Sequence, residues 1–236
     1  MGAIYLLTLR QLAGRWRLLI MTALATLPVL ITWVAFLTGE FSVQEFEENV
    51  LAGFLSGSII PLVVLAIAAA AFASEVEDRT LANLTLAPIP RWRIVFPKLL
   101  ATFSLAAPFI AISAFAATDI AIEGDTRAAI AVTTSALIGV ALYASAFVWL
   151  GLVASHPIGI GLLYIVVWEG FFSGFVRGVR LFSLRHYTTA WIHVLDERRF
   201  AWTDNLESGV TIGVSAAVLG GFVFLTVRRL RRMDVP

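Results

Sequence analysis

The sequence predicts an all-α, polytopic membrane protein folded as a single transmembrane domain over residues 1–236. Three observations carry that prediction. Of 236 residues, 59% are hydrophobic and only 14% are charged, whereas soluble domains carry about a quarter charged residues. Apolar runs close to the length of about 20 residues needed to cross the hydrocarbon core recur six times along the chain. The charges gather in the intervals between those runs and at the two ends.

The same composition excludes several classes. A formal net charge of +1 gives no global basic field, so nucleic acid is not an expected partner. The chain has no cysteine, which excludes disulfides, thiolate metal sites and cysteine nucleophiles. A polar, arginine-bearing segment precedes a full-length first span, without a small-residue cleavage site after a short apolar core, so no cleavable signal peptide is expected.

Residues 1–17 predict an amphipathic interfacial helix. At 100° per residue Tyr5, Leu6, Leu9, Ala13 and Trp16 fall on one side, and Thr8, Gln11 and Arg15 on the other. Such a helix either anchors the topology or forms an elbow that also touches a cytoplasmic partner. Spans are then predicted over Leu18–Leu37, Val50–Ala73, Leu99–Ile120, Ala128–Ala154, Ile158–Phe172 and Gly209–Val227. Ser155-His156-Pro157 reads as the tight turn between the fourth and fifth. The fifth run is short, and its continuation over 173–207 is too polar to cross and too apolar to be a simple solvated loop. Short re-entrant or interfacial helices are expected there, with Tyr187, Trp191 and Trp202 at headgroup depth. The tail 228–236 opens on Arg228-Arg229-Leu230-Arg231-Arg232, a stop-transfer anchor for anionic lipid.

The arginines set the orientation, because Lys and Arg near span ends are retained in the cytoplasm. With both termini inside, the inner face holds Arg10, Arg15, Arg17, Arg79, Arg91, Arg93, Lys98 and the four tail arginines. The outer face then holds fewer: Arg127, Arg177, Arg180, Arg185, Arg198 and Arg199, beside the acidic Glu40, Glu45, Glu47, Glu48, Glu123 and Asp125.

The interval 74–98 between the second and third spans turns abruptly charged. Ser74 and Glu77 have the spacing of a capping box, and Glu75 and Asp78 suit the positive end of a helix dipole. The box predicts a helix over about Glu75–Leu86, stopped by Pro88. A charged, well-capped helix between two spans reads as a lever for a soluble partner, or else as a solvated helix that only shields span ends. Val76, Leu81 and Leu84 would supply apolar anchors, with Glu75, Glu77, Asp78 and Arg79 as a polar rim.

Charged residues inside spans are costly and therefore candidates for function. Asp119 falls at the outer end of the third span, within reach of headgroup water. Glu169 falls eleven residues into the fifth span, about 16 Å at the helical rise. It either hydrogen-bonds the backbone of the re-entrant turn that follows or lines an outer gate. Glycines at four-residue spacing, Gly53 and Gly57, Gly170, Gly174 and Gly178, Gly209 and Gly213, suggest where helices meet in lipid. Pro28 and Pro61 fall mid-span, where they either kink helices that bend during gating or mark ordinary packing irregularity.

Enzymatic readings find little support. His186 and His193 are seven residues apart, about 10 Å along a helix and too far to share one metal unaided. Neither His-Glu-x-x-His nor Gly-x-Ser-x-Gly occurs. An intramembrane hydrolase or lipid transferase would have to assemble its groups from distant spans. An ion-coupled secondary transporter, the other alternative, normally needs more intramembrane carboxylates or broken-helix pairs.

The order of these features resembles the ABC-2-type permeases, the membrane subunits of a class of ATP-driven exporters. The likeness covers essentially the whole chain and rests on Glu75, Glu77, Thr80, Leu81, Pro88, Arg91 and Lys98, and on Trp168, Glu169 and Gly170. Arg79 departs from the pattern, which commonly has a Gly before the Thr. The resemblance implies a half-transporter: two copies, or one copy and a related permease, form the pathway, and two cytoplasmic ATPase subunits drive it. It implies that the helix at 75–86 is the coupling helix, docking in a cleft of the ATPase through Glu75, Val76, Glu77, Asp78, Arg79, Leu81, Leu84 and Arg91. It further implies that spans two and five line the pathway, making Phe54, Glu169, Phe171 and Phe172 outer-gate candidates, and that spans one and five form the dimer contact, with Gly170 and Gly174 packing there. No Gly-x-x-x-x-Gly-Lys-Ser/Thr run exists in the chain, so ATP and Mg are expected in the partner ATPase and no cofactor in this chain. The implied setting is a prokaryotic plasma membrane, with both termini cytoplasmic and export as the direction. The cargo stays open among a drug, a lipid-linked molecule and an amphipathic peptide.

Overall fold

The computed structural model describes residues 2–39, 42–77, 90–172, 182–197, 199–200 and 206–232. All regular structure among them is helical. Helix α1 (Gly2–Leu12) is separated from α2 (Arg15–Thr38) by an extended Gly14 with φ −65° and ψ 139°. Gly39 closes α2 in the left-handed conformation at φ 71°, and its N–H donates to the Phe36 carbonyl. A capping box opens the next helix: Glu45 N donates to Ser42 Oγ at 3.2 Å and Ser42 N donates to Glu45 Oε2 at 3.3 Å. From there the chain runs through α3 (Val43–Glu45), a π-wound stretch Phe46–Ile59, α4 (Ile60–Ala68) and α5 (Ala70–Glu77). In the π stretch each N–H reaches back five residues, and Ile60 N still donates to the Leu55 carbonyl. Pro61 marks the return to α winding; without an N–H it has no bond to give in either pattern.

Helix α6 (Trp92–Ala121) leads through a tight turn, with Glu123 at φ 43° and Gly124 at φ 82°, into α7 (Thr126–Val153). Asp125 caps α7 by accepting from Ala128 N at 3.2 Å. The predicted turn at Ser155-His156-Pro157 places Pro157 at the start of α8 (Pro157–Leu163), which continues as a second π-wound stretch, Tyr164–Phe172. Then come α9 (Leu184–Leu195) and α10 (Ser208–Arg232).

Among the described residues five helices are long and apolar enough to cross a membrane: Arg15–Thr38, Val43–Phe72, Trp92–Ala121, Thr126–Val153 and Ser208–Arg232. The predicted fifth span is a shorter apolar helix, Pro157–Phe171, below that length. Its apolar run is bounded by Pro157 and the polar sequence after Phe172.

Helix α7 is the centre of the bundle. It packs against α4, α5, α6, α8, α9 and α10, and small residues on it let neighbouring backbones approach closely. A Cβ added at Gly139 would lie 2.6 Å from Thr188 Cγ2 of α9, and one added at Gly151 would collide with the Ala69 carbonyl oxygen between α4 and α5. Ser135 Oγ also donates to the Thr188 carbonyl. By contrast α2 and α10 are peripheral, with Leu19, Leu30, Val34, Ile212 and Phe224 exposed along them, as suits a lipid-facing surface.

Several expectations are corrected. In α1 it is Thr8, placed on the predicted polar side, that is buried together with Leu12, while Leu6, and Trp16 at the start of α2, are exposed; α1 packs on α6 and α5. Ser74 lies inside α5 and does not start a helix. The Ala-rich run before it is already helical, so the backbone N–H groups that a cap would satisfy are bonded within the helix. Of the glycines at four-residue spacing, Gly57 makes a close contact, with Arg185, whereas nothing among the described residues lies within 4 Å of a Cβ at Gly209 or Gly213. The segment expected to be re-entrant or interfacial contains α9, which packs on its neighbours whatever its depth in the membrane: Tyr187 is buried at 4% exposure and Trp191 Nε1 donates to Ser215 Oγ of α10 at 2.9 Å. Asp119 is exposed at the end of α6.

Candidate functional site

Two buried polar clusters and one apolar cleft stand out. The first cluster joins the second long helix to the third. Lys98, six residues into α6, is fully buried; its Nζ donates to Glu75 Oε1 at 2.7 Å and to the Ala71 carbonyl. The ammonium also lies 4.5 Å from the centroid of the Phe72 ring. Carboxylate, carbonyl and aromatic face together compensate a cation that could not otherwise be taken out of water. Ala71 and Glu75 are one helical turn apart on one face of α5, so the lysine clamps the last turns of α5 to the first turns of α6. Glu75, expected on the rim of a docking surface, faces this lysine with 15% of its side chain exposed. Arg91 precedes α6, and its Nη1 is buried without a hydrogen-bond partner among the described residues.

Val76 and Glu77 continue the backbone of α5. Asp78, Arg79, Thr80, Leu81, Leu84 and Pro88, and with them most of the expected coupling helix, lie outside the described residues.

The second cluster centres on Glu169, which is fully buried in the second π stretch. Its Oε1 accepts from Tyr164 Oη at 2.7 Å and from Leu184 N at 2.9 Å, and its Oε2 accepts from Ser183 Oγ. Positions five apart on an α-helix stand about 140° apart around the axis. The π winding, with its i to i+5 repeat, is what brings Tyr164 and Glu169 to one side. Ser183 is the N-cap of α9, also accepting from His186 N at 3.3 Å. The carboxylate therefore sits on the N-terminus of α9, where unpaired N–H groups and the dipole favour an anion. Arg185 Nη1 donates to the Glu169 carbonyl at 3.4 Å. Gly57 in the first π stretch leaves room for that arginine: a Cβ there would lie 3.1 Å from Arg185 Cδ and Nε. Tyr143 of α7 is fully buried, and its hydroxyl has no hydrogen-bond partner among the described residues. An aromatic row, Tyr143 to Phe147 at 5.7 Å and Phe147 to Tyr164 at 6.3 Å, links it to the cluster.

Of the other gate candidates, Phe54 is half-buried against the core and Phe171 is exposed; Phe172 ends the π stretch. Among the described residues of this one chain, the nearest potential Cβ contact of Gly170 is Ile165 O at 3.6 Å in its own stretch. Gly174, Gly178 and Trp202 lie outside the described residues. His186 and His193 converge on no metal-holding group among the described residues. Sequence reasoning missed Tyr164, Ser183 and Tyr143; of these, only Ser183, an N-cap residue type directly before an apolar stretch, carried a local signal.

The cleft, of about 630 Å³, lies between α8 with its π continuation and α10. Phe147 and Leu150 of α7 form its floor, Ile160 and Tyr164 one wall, Val214, Val218 and Phe222 the other, and Leu184 and Tyr187 of α9 close one end.

Membrane-length apolar helices around a buried centre, with the few intramembrane charges tied to helix ends, define a multi-pass membrane protein. A family model described as ABC-2 family transporter protein matches residues 9–181. The chain belongs to that family and is a membrane permease of ABC transporter type, a class in which the ATPase is a partner. A comparison with curated proteins gave no match. The matched region contains the Lys98–Glu75 pair and Glu169 and stops short of α9.

Proposed function

We propose that this chain is the permease subunit of an exporter in a prokaryotic plasma membrane. Two copies, or one copy and a related permease, form the pathway, and two cytoplasmic ATPase subunits bind ATP and Mg and dock on the segment between α5 and α6. The observation that carries this reading is the Lys98–Glu75 clamp. It ties together the two helices that enter and leave that segment, at 2.7 Å and with the lysine sealed from solvent. A displacement of the segment is then delivered to both helices at once, as a rigid-body push should be if closure of an ATPase is to move spans. The packing of α1 on α5 and α6 braces the same corner, which supports an elbow role. At the other cluster, Glu169 acts first as a cap that holds α9, and the outer gate is the movement of α9 that loss of this cap would release.

Copurification tests the docking. A tagged chain should bring down a soluble ATPase, and transport should stop when the nucleotide site of that ATPase is mutated. Leu81→Glu combined with Leu84→Glu should abolish the association. Association unchanged by that pair, or transport that persists without any ATPase, overturns the reading.

A further inference from the structure

The cleft between α8 and α10 borders the Glu169 cluster at Tyr164 and Leu184 but extends well beyond it, to about 630 Å³, within the size range of small-molecule sites. Its lining is almost wholly apolar. Leu150 at the floor, Ile160 on one wall and Val218 and Phe222 on the other offer no hydrogen-bonding side chain. Of the lining groups that can hydrogen-bond, the Tyr164 hydroxyl is given to Glu169 and Trp168 Nε1 to the Phe182 carbonyl at 3.4 Å, and Trp149 and Tyr187 present mainly ring surface. A void of this kind has no use for water, which needs two to four polar partners. Left empty, its lining forfeits the dispersion contacts that close packing supplies. The helices that flank it, α8 and α10, carry exposed apolar side chains on their outward sides, Ile158 and Leu163 on one and Ile212 and Phe224 on the other. The medium at its mouth is therefore hydrocarbon.

We propose that this cleft is an acyl-chain site, filled by one tail of a bilayer phospholipid. No hydrophobic gain drives the tail in, because lipid is as apolar as the lining. What favours it is contact: a flexible chain fills an irregular aromatic-edged groove that side chains leave open. The seated tail touches α7, α8, α9 and α10 together, and so fixes the spacing of α8 from α10 beneath the helix that Glu169 caps.

The test uses the whole chain in nanodiscs of phosphatidylcholine containing a trace of phosphatidylcholine with a diazirine on its acyl chain. The protein is transferred to detergent to strip loosely held lipid, then photolysed and mapped by mass spectrometry. Adducts should concentrate on Leu150, Val218 and Phe222, and be sparse on the outward face of α2 at Leu30 and Val34. Val218→Trp, which fills the groove, should lower cleft labelling about tenfold, while Val218→Ala should retain it. Leu150→Phe provides a second, milder filling variant, and helical content and elution as a single species report folding for each. Equal labelling of α2 and the cleft, or labelling indifferent to filling in a folded variant, overturns the proposal. So does an efficient disulfide between two copies of Val218→Cys, informative because the native chain has no cysteine; it would give the cleft to a second copy of this chain.

Discussion

Lys98 Nζ lies 2.7 Å from Glu75 Oε1, with the lysine side chain wholly sealed from solvent and the glutamate retaining 15% of its exposure. Twenty-three residues separate the two in sequence, so the pair closes a loop at the base of two long helices and gives that loop a fixed footing.

Breaking one partner of such a pair should cost far more than removing both. Lys98→Met leaves Glu75 facing an apolar pocket, and Glu75→Leu strands a buried ammonium; each single change should destabilise by about 3–5 kcal/mol. The double variant should recover most of that loss. Thermal unfolding in detergent reads the stability. If the pair also transmits force, the double variant should stay folded and bind the ATPase yet lose ATP-dependent transport. A double variant no more stable than the singles would show that the lysine is held chiefly by the Ala71 carbonyl and the Phe72 ring.

The Glu169 cap predicts a graded series. Ser183→Ala removes an N-cap and should cost about 1 kcal/mol. Glu169→Ala leaves the Tyr164 hydroxyl and the Leu184 N–H unsatisfied in a buried place and should cost about 2–4 kcal/mol. Glu169→Gln keeps an acceptor for Leu184 N but loses the charge that suits the helix terminus, and should fall between the two. Hydrogen exchange at the first turn of α9 should rise in the same order while α6 is unaffected; uniform loss of protection across the bundle would contradict a local cap.

At the close crossing of α7 with the α4–α5 junction, Gly151→Ala should destabilise despite the better helix propensity of alanine. Its Cβ would meet the backbone carbonyl of Ala69, which cannot rotate away. A loss of about 1–3 kcal/mol is expected. The control is Gly213→Ala, where a Cβ meets nothing within 4 Å: it should be neutral or slightly stabilising. Equal effects at the two sites would argue against the crossing.

The long spans were legible because hydrophobic run length is a property of composition and needs no tertiary partner. Their ends were not. The sequence contains two Ser-x-x-Glu boxes, Ser42 to Glu45 and Ser74 to Glu77, and the reading used the second. The structure forms its cap at the first, where the chain enters a helix from an extended residue. At the second the helix is already under way, so the local signal is overridden by continuity. The importance of Glu169 was readable from the cost of a buried carboxylate, and one of its two offered roles anticipated the bond to the backbone that follows. Its partners were not readable. The pairing with Tyr164 depends on π winding, for which the residues over 164–172 carry no obvious mark, and Ser183 and Leu184 arrive from the start of a different helix. Lys98 could be placed at the start of a span, but its partner was assigned to the solvent side because charge alone does not reveal which way a glutamate faces.

The glycine pattern was a partial guide: Gly57 lies against Arg185, while Gly209 and Gly213 meet nothing within 4 Å among the described residues. Four-residue spacing detects faces on which small residues recur, while the tightest contacts here use single glycines opposite single protrusions: Gly161 under Leu65, Gly151 under Ala69 and Gly139 under Thr188.

Among the described residues the axis of the bundle is filled by a helix and not by a lumen. Because α7 occupies the centre and is walled in by six neighbouring elements, traffic across the membrane is left to the flanks of the molecule. In the two-permease pathway proposed above, each copy would supply one bank of the route along such a flank, and its partner the other.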